Sequence, residues 1–259
     1  MHNERTLLCR VHRDVLLGPA GLTCGVRGRT TSPPVAHWTF DDIRDTTVPD
    51  AAGSHPGTLC GRASRPEIVD GIAGKALRFT PGSEHYVRVD QMAELCPTQQ
   101  ITLMAWVWID SKTAMWGDIL GYQPEQSRGD KAHPLKGFRL WKTWGCKSIR
   151  FYIGDGTTRA YKNEIKCEAS GLRRLQNHWM HIAATHDGQV MRMFINAVEK
   201  GHSEATAQIA PSGFPLVIGN YAVSKTVYPF HGVIDDVRIY DVALTEDQIL
   251  GAAATALAE

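Results

Sequence analysis

Short strand-like segments separated by turn residues run through the chain from residue 35 to residue 240. Residues 35–40, 101–109 and 232–240 are typical examples, and each of them is followed by an aspartate. The segment 101–109, ITLMAWVWI, is apolar on both faces, which predicts a central strand that is covered on each side. Many short strands at this spacing predict a β-sandwich or a β-barrel rather than alternating strands and helices.

Two local signals predict a particular turn and a particular helix end. Asp187-Gly188 separates two strand-like segments, and this step predicts a β-hairpin because glycine accepts the positive φ that the turn demands. Thr245 and Gln248 have the spacing of a capping box, which predicts the start of a short helix near the end of the chain. The fold class expected from these signals is all-β with one late helix.

The charge of the chain is nearly balanced, with 28 lysine and arginine residues against 27 aspartate and glutamate residues. A basic excess is usual in nucleic-acid-binding proteins, so nucleic acid is not an expected partner. Residues 1–34 hold five arginines against two acidic residues and end in Ser-Pro-Pro. We interpret them as a poorly ordered arm or a degenerate secretory leader that precedes one domain over residues 35–259. No apolar run reaches the roughly 20 residues of a transmembrane segment.

Four segments, in this order, carry a family resemblance: VAHWTFDD (35–42), ITLMAWVWI (101–109), HWMHIAATHDGQVMRMFINAVEKG (178–201) and PFHGVIDDVRIYDVALTEDQI (229–249). Over about residues 35–250 the chain resembles the laminin-G-like, concanavalin A-like lectin/glucanase jelly-roll domains. The resemblance implies a two-sheet antiparallel jelly-roll β-sandwich with a short C-terminal helix, and an extracellular or cell-surface location. Asn196-Ala197 departs from the Asn-Gly that family members usually have, which makes a type I′ turn less comfortable there.

The resemblance also implies a structural calcium ion, because many members hold one at the acidic residues of these motifs and pair their first and last strands. We expect Asp41, Asp50 and Asp235 to supply side-chain ligands, with Asp42 and Asp236 as substitutes if the strand phase is opposite. Calcium takes roughly six to eight oxygen ligands, and clustered aspartates with backbone carbonyls suit it. The alternative is that these residues are turn aspartates that cap backbone amides.

Sugar recognition needs an aromatic ring to stack on the sugar and a few polar side chains. Trp116, Trp141 and Trp144 lie in loop-like sequence contexts, and an exposed tryptophan is costly unless it contacts something. We expect these three rings to form a binding platform, with Arg139 and Lys142 beside them favouring an acidic glycan. The alternative is that the rings cover an open end of the sandwich.

Motifs for catalysis are absent from the sequence, including the Glu-x-Asp-x-x-Glu strand of the related β-glucanases and the Gly-x-Ser-x-Gly elbow. A lyase that uses tyrosine or histidine with arginine has only Tyr152, Arg139 and His133 as weak candidates. We therefore predict a carbohydrate or glycoconjugate recognition module whose partner is a glycan or a glycoprotein. A polysaccharide-active enzyme and a protein–protein adhesion module stay open as alternatives, because one fold hosts all three.

The spacing of cysteine and histidine does not predict a zinc site. No Cys-x-x-Cys pair occurs, and His181 and His186 are an odd number of residues apart, which places them on opposite faces of a strand. Cys146 and Cys167 bracket a further candidate hairpin. We expect them to form either a cross-strand disulfide or two buried thiols.

Overall fold

The computed structural model of the chain describes residues 32–62, 64–80, 82–90, 95–111, 115–122, 135–157, 163–168, 176–221 and 228–257. These residues belong to one compact unit, Thr31–Glu259. The arm predicted over residues 1–34 lies almost entirely outside the described residues and stays a prediction, and His133 lies outside them too.

Within the described residues the chain forms sixteen β-strands and one α-helix. In chain order they are β1 (Ala36–Trp38), β2 (Thr47–Val48), β3 (Gly57–Cys60), β4 (Glu67–Asp70), β5 (Lys75–Phe79), β6 (Tyr86–Val89), β7 (Ile101–Ile109), β8 (Gly117–Tyr122), β9 (Lys136–Lys142), β10 (Ser148–Asp155), β11 (Glu164–Glu168), β12 (Trp179–His186), β13 (Val190–Ile195), β14 (Val198–Glu204), β15 (Leu216–Ile218), β16 (Gly232–Tyr240) and α1 (Glu246–Thr255). The predicted all-β fold class is confirmed.

The strands form two antiparallel sheets that pack face to face. The first sheet has the order β14-β13-β12-β7-β16-β5-β4, with β1 pairing with β16 as well. The second sheet has the order β11-β10-β9-β8-β15-β6-β3-β2. The first and last strands of the chain therefore lie side by side, as the family resemblance implied, with Ala36 opposite Ile239.

Alternation along β7 shows how the sequence divides between the two faces of the first sheet. Ile101, Leu103 and Val107 point into the core between the sheets, whereas Met104 and Trp106 lie on the outer face, because successive side chains of a strand point in opposite directions. The outer face at Met104 is covered in turn by the C-terminal helix. This double cover explains why the segment is apolar on both faces.

The two hairpins around β13 differ in how they accept positive φ angles. Gly188, at φ 94°, serves the predicted Asp-Gly turn between β12 and β13. Between β13 and β14, Asn196 (φ 51°) and Ala197 (φ 60°) both adopt the left-handed conformation. The side-chain Oδ1 of Asn196 accepts a hydrogen bond from the His181 amide, and the Ala197 methyl group is buried in the cluster beneath the helix. These contacts offset the strain of a non-glycine residue.

None of the described cysteines forms a disulfide bond. Cys146 lies in a 3₁₀ turn before β10, and the residue opposite Cys167 on β10 is Ile149, so the two sulfurs do not face each other. The disulfide alternative is therefore wrong, and both thiols are buried.

Helix α1 begins at the predicted capping box. The Thr245 hydroxyl accepts from the Gln248 amide, and the Gln248 side chain accepts from the Thr245 amide. Leu244 and Ile249 are both buried in the cluster on the outer face of the first sheet, where they form a hydrophobic staple. Among the described residues, no helix is both long and apolar enough to cross a bilayer.

Replacing Thr245 with alanine removes the acceptor for a free amide at the start of the helix. We expect Thr245→Ala to lower the free energy of unfolding by about 1 kcal/mol, measured by urea denaturation. Thr245→Ser keeps the hydroxyl and is the matched control. A loss in Thr245→Ser as large as that in Thr245→Ala would contradict a capping role.

Candidate functional site

The outer face of the second sheet carries a polar and aromatic cluster at β8, β9 and β10. On β9 the side chains of Phe138 and Leu140 enter the core, so alternation places Arg139 and Trp141 on the outer face. Across the ladder, Tyr152 is the partner of Arg139. We define the Arg139 cluster as Arg139, Asp118 and the rings that surround them: Trp141, Tyr152, Tyr221 and Tyr228.

The centre of the Arg139 cluster is a buried ion pair. Arg139 Nε donates to Oδ2 of Asp118 at 2.6 Å, and its Nη2 donates to Oδ1 at 2.5 Å. Both side chains are almost fully buried. Burial raises the pKa of Asp118, and the charge and hydrogen bonds of Arg139 oppose that rise. A buried pair of this kind depends on good geometry, because each charge has lost its water.

Aromatic rings hold the guanidinium from several sides. Its Cζ lies 4.5 Å from the ring centroid of Trp141, 4.7 Å from that of Tyr221 and 5.3 Å from that of Tyr228. The positive charge is thus stabilised by ring faces as well as by a carboxylate. Trp116 extends the group, with its ring 6.0 Å from that of Tyr228.

The three tryptophan rings of the predicted platform lie in different environments. Trp141 is buried beside Arg139, so its face is not available to a sugar in this conformation. Trp116 is half-buried against Tyr228. Trp144, three residues beyond Trp141, is half-exposed at 50% in the 3₁₀ turn Trp144–Cys146.

Lys142 does not join the other predicted residues. It follows Trp141 on β9 and therefore points to the opposite face, where its Nζ donates to the carbonyl oxygen of Met115 at 2.5 Å. Burial lowers its pKa to about 8. Neither Lys142 nor Arg139 offers an exposed charge to an acidic glycan.

Two further polar groups of this face, Arg150 and the mostly buried Glu164, were missed by the sequence reasoning. Arg150, opposite Trp141 on β10, is 30% exposed and donates to Glu164 Oε1 on β11 at 2.8 Å. Burial raises the pKa of Glu164, while Arg150 opposes the rise. Alternation in β10 indicates Arg150, because it lies two residues before Tyr152 on the same face. Glu164, Tyr221 and Asp118 carry no comparable signal.

The carboxylate of Asp50, a predicted calcium ligand, already accepts hydrogen bonds from its own loop and from β1. Its Oδ1 accepts from the amides of His37 and Ala52, and its Oδ2 accepts from those of Ser54 and His55, at 2.7–3.2 Å. Four backbone donors saturate this carboxylate, so it acts as a cap of backbone amides rather than as a free ligand.

Asp41 and Asp235 both reach the turn over residues 71–75, although they lie far apart in the sequence. Asp41 Oδ1 accepts from the Lys75 amide at 2.7 Å, and Asp235 Oδ2 accepts from the Ile72 amide at 2.9 Å. A β-carbon at Gly71 or Gly74 would collide with these carboxylates. Burial raises the pKa of Asp235 to about 8.

The three predicted calcium ligands are therefore not one ligand set. Among the described residues, no group of three histidine, cysteine or acidic side chains converges as a metal site. Of the two substitutes, Asp236 is hydrogen-bonded to His37 and Arg238, and Asp42 is exposed. The carbonyl oxygens of Ala73 and Lys75 also lie close to Gly71, in the turn that Asp41 and Asp235 share.

A family model described as the concanavalin A-like lectin/glucanases superfamily matches residues 81–250. No curated protein sequence matches the chain. Solved structures at 20% identity or less also resemble it in fold. Domain 4 of an extracellular arabinanase from Geobacillus stearothermophilus, in complex with arabinotriose, has a TM-score of 0.57 at 20% identity, over 85% of this chain and 98% of that domain.

The other two resemblances are to toxin binding domains. The botulinum neurotoxin serotype G binding domain has a TM-score of 0.63 at 12% identity, covering 86% of this chain and 51% of that one. The binding domain of Paraclostridial Mosquitocidal Protein 1 has a TM-score of 0.60 at 13% identity, covering 84% and 51%. The chain thus spans about half of each toxin binding domain.

Removing one member of the buried ion pair leaves the other charge without a partner. We expect Arg139→Met to lower the free energy of unfolding by about 3–5 kcal/mol, measured by urea denaturation. The double variant Arg139→Met/Asp118→Leu removes both charges, so we expect it to regain most of that loss. If the loss in the double variant equals the sum of the losses in Arg139→Met and Asp118→Leu, the two residues are not coupled and the prediction is wrong.

Proposed function

Because the chain belongs to the concanavalin A-like lectin/glucanase superfamily, we propose that it is a carbohydrate- or glycoconjugate-recognition module that binds its ligand on the outer face of the second sheet. The observation that supports this most is the Arg139 cluster, in which a buried ion pair is held between aromatic rings. Such a rigid, polar and aromatic floor is typical of a ligand-binding surface.

The residues proposed to contact the sugar lie around the Arg139 cluster rather than within it. Trp144 has half of its surface exposed, and an aromatic ring of this kind gains most by stacking on an apolar sugar face. Arg150 and Glu164 supply planar donors and acceptors on the neighbouring strands, where they can meet sugar hydroxyl groups. We therefore assign the recognition to Trp144, Arg150 and Glu164, with Trp116 beside them and the Arg139 cluster as their support.

The structural relatives agree with this class of function without deciding the ligand. The arabinanase domain was solved with arabinotriose, and the toxin domains are binding or receptor-binding domains by their descriptions. The arabinanase is extracellular by its description, and we extend this location to the present chain as part of the proposal. Likeness at this identity shows the fold, and the site must decide the function.

A glycan array followed by calorimetry with the best ligand tests the proposal. We expect Trp144→Ala to weaken binding roughly tenfold, because the loss of a stacked ring is worth about 1.4 kcal/mol. The matched control is Trp179→Ala on the first sheet, whose ring packs against that of Trp108. We expect the control variant to bind like the unchanged protein.

The same assay separates the alternatives. Full binding by Trp144→Ala together with a loss in Trp179→Ala would contradict a site on the second sheet. Release of reducing or unsaturated sugar ends from the bound glycan would contradict a pure recognition module and favour an enzyme. Binding of a protein with no glycan attached would favour an adhesion module.

We also propose that the structural calcium ion binds at the turn over residues 71–75, between Asp41 and Asp235. Both carboxylates approach this turn closely, and Asp235 is a buried acid whose pKa is raised to about 8. A bound cation favours the ionised form of such an acid and offsets the cost of burying its charge.

The raised pKa of Asp235 predicts the direction in which the stability of the protein changes with pH. Its pKa is higher in the folded protein than in the unfolded chain, so its contribution to stability is complete below about pH 4 and is lost as the pH rises toward 8. In EDTA we expect the melting temperature to fall between pH 5 and pH 8, and we expect calcium to restore it at pH 8. Asp235→Asn should respond to neither change, whereas Asp50→Asn should keep the calcium response. Identical melting curves with calcium and with EDTA would contradict the ion and leave the glycan proposal untouched.

A further inference from the structure

A second polar cluster lies on the opposite side of the sandwich, on the outer face of the first sheet. His181 on β12 is the cross-strand partner of Trp106 on β7, and Trp106 is in turn the partner of Asp235 on β16. The rings of His181 and Trp106 are in edge contact, with centroids 5.3 Å apart. Asp236 follows Asp235 at an irregularity of β16 and has a left-handed φ of 49°.

The C-terminal helix closes this region from above. Arg238 on β16 donates from Nη1 to the carbonyl oxygen of Ala252 at 3.0 Å and to the hydroxyl of Thr255 at 3.2 Å. Its Nη2 donates to Oδ1 of Asp236 at 2.9 Å, and the same oxygen lies 2.6 Å from Nε2 of His37. One oxygen of Asp236 is therefore fully used.

Four other polar atoms in this region are buried and have no hydrogen-bond partner among the residues that the structure describes. They are Nδ1 and Nε2 of His181, Nε1 of Trp106 and Oδ2 of Asp236. His181 has no exposed surface, and Trp106 and Asp236 have 4% and 5%. Buried polar groups are almost always paired, and each exception needs a physical explanation. Four exceptions on neighbouring strands indicate one shared cause.

The chemistry of these atoms selects the occupant. Burial lowers the pKa of His181 to about 4, despite the opposing charge of Asp236, so its ring is neutral and offers one donor and one acceptor. The Trp106 indole adds a donor, and Asp236 adds an acceptor. An anion is disfavoured by Asp236, and a cation is disfavoured by the Arg238 guanidinium and by the indole N–H. The set requires a small neutral molecule that both donates and accepts.

We propose that His181, Trp106 and Asp236 form an internal hydration site that holds about one or two water molecules beneath the C-terminal helix. Each water receives a hydrogen bond from a ring N–H and gives one to Asp236 Oδ2 or to the unprotonated ring nitrogen of His181. The site joins β7, β12 and β16 at the point where the helix docks through Arg238. It lies on the opposite sheet from the glycan-binding face, so it does not depend on the proposed function.

Nuclear magnetic resonance of the full chain, labelled with ¹⁵N at its tryptophans, tests the site without a mutation. We expect the indole N–H of Trp106 to show cross-peaks to a long-lived water molecule and to exchange slowly with bulk solvent. The matched control is Trp179 on the same sheet, which is only half-buried and should show short-lived water alone. A crystal structure should show water oxygens about 2.7–3.2 Å from the indole nitrogen and from Asp236 Oδ2.

Three results would overturn the proposal. One is a Trp106 indole that lacks any long-lived water cross-peak. Another is electron density in which a His181 nitrogen bonds directly to Asp236, with no water between them. The third concerns His181→Phe, which keeps a ring but removes both nitrogens: we expect a lower melting temperature because the waters lose partners. A higher melting temperature would mean that the nitrogens were truly unsatisfied.

Discussion

The fold depends on the irregularity in β16, which among the described strands is the one that pairs with three others. β16 lies between β7 and β5 and also carries β1. Its register against β7 shifts between Asp235 and Arg238. Because a bulge changes the side to which successive residues point, two adjacent acids serve different partners. Asp235 holds the turn over residues 71–75, and Asp236 holds His37 and Arg238.

This arrangement fastens the N-terminal strand, the turn before β5 and the C-terminal helix to one short segment. The three attachments come from residues that are far apart in the sequence, so the bulge joins distant parts of the chain at one place. It also concentrates buried polar groups on one sheet. On the other sheet, the buried charges are those of the Arg139–Asp118 ion pair, which aromatic rings enclose. Buried charges of both kinds require fixed neighbours, which favours one conformation over near alternatives.

Much of the fold could be predicted from local sequence, because local rules govern it. The Asp187-Gly188 hairpin and the Thr245 capping box needed only turn chemistry and spacing. Strand alternation also predicts the orientation of Lys142. Because Arg139 and Trp141 share a face of β9, Lys142 must point away from them. The position of Lys142 was therefore predictable, and we placed it on the wrong face.

The remaining features depend on contacts that spacing does not reveal. Trp141 is buried because Arg139 lies over its ring, and Tyr221 and Tyr228 complete that packing from a distant part of the chain. Asp50 has the sequence context of a ligand, yet three amides of its own loop and the His37 amide of β1 already donate to it. In both cases the competing partner is a group whose position only the tertiary structure defines.

The 3₁₀ turn at Trp144–Cys146 has a consequence for how such a domain changes over evolutionary time. Gly145 and Cys146 both adopt left-handed φ angles there, so that Cys146 is buried in the core while Trp144 stays half-exposed. Neither Trp144 nor Arg150 takes part in the hydrogen bonds that join Arg139 to Asp118. Under the proposed function, substitutions at Trp144 and Arg150 would therefore change the ligand preference while the buried ion pair of the same sheet is kept.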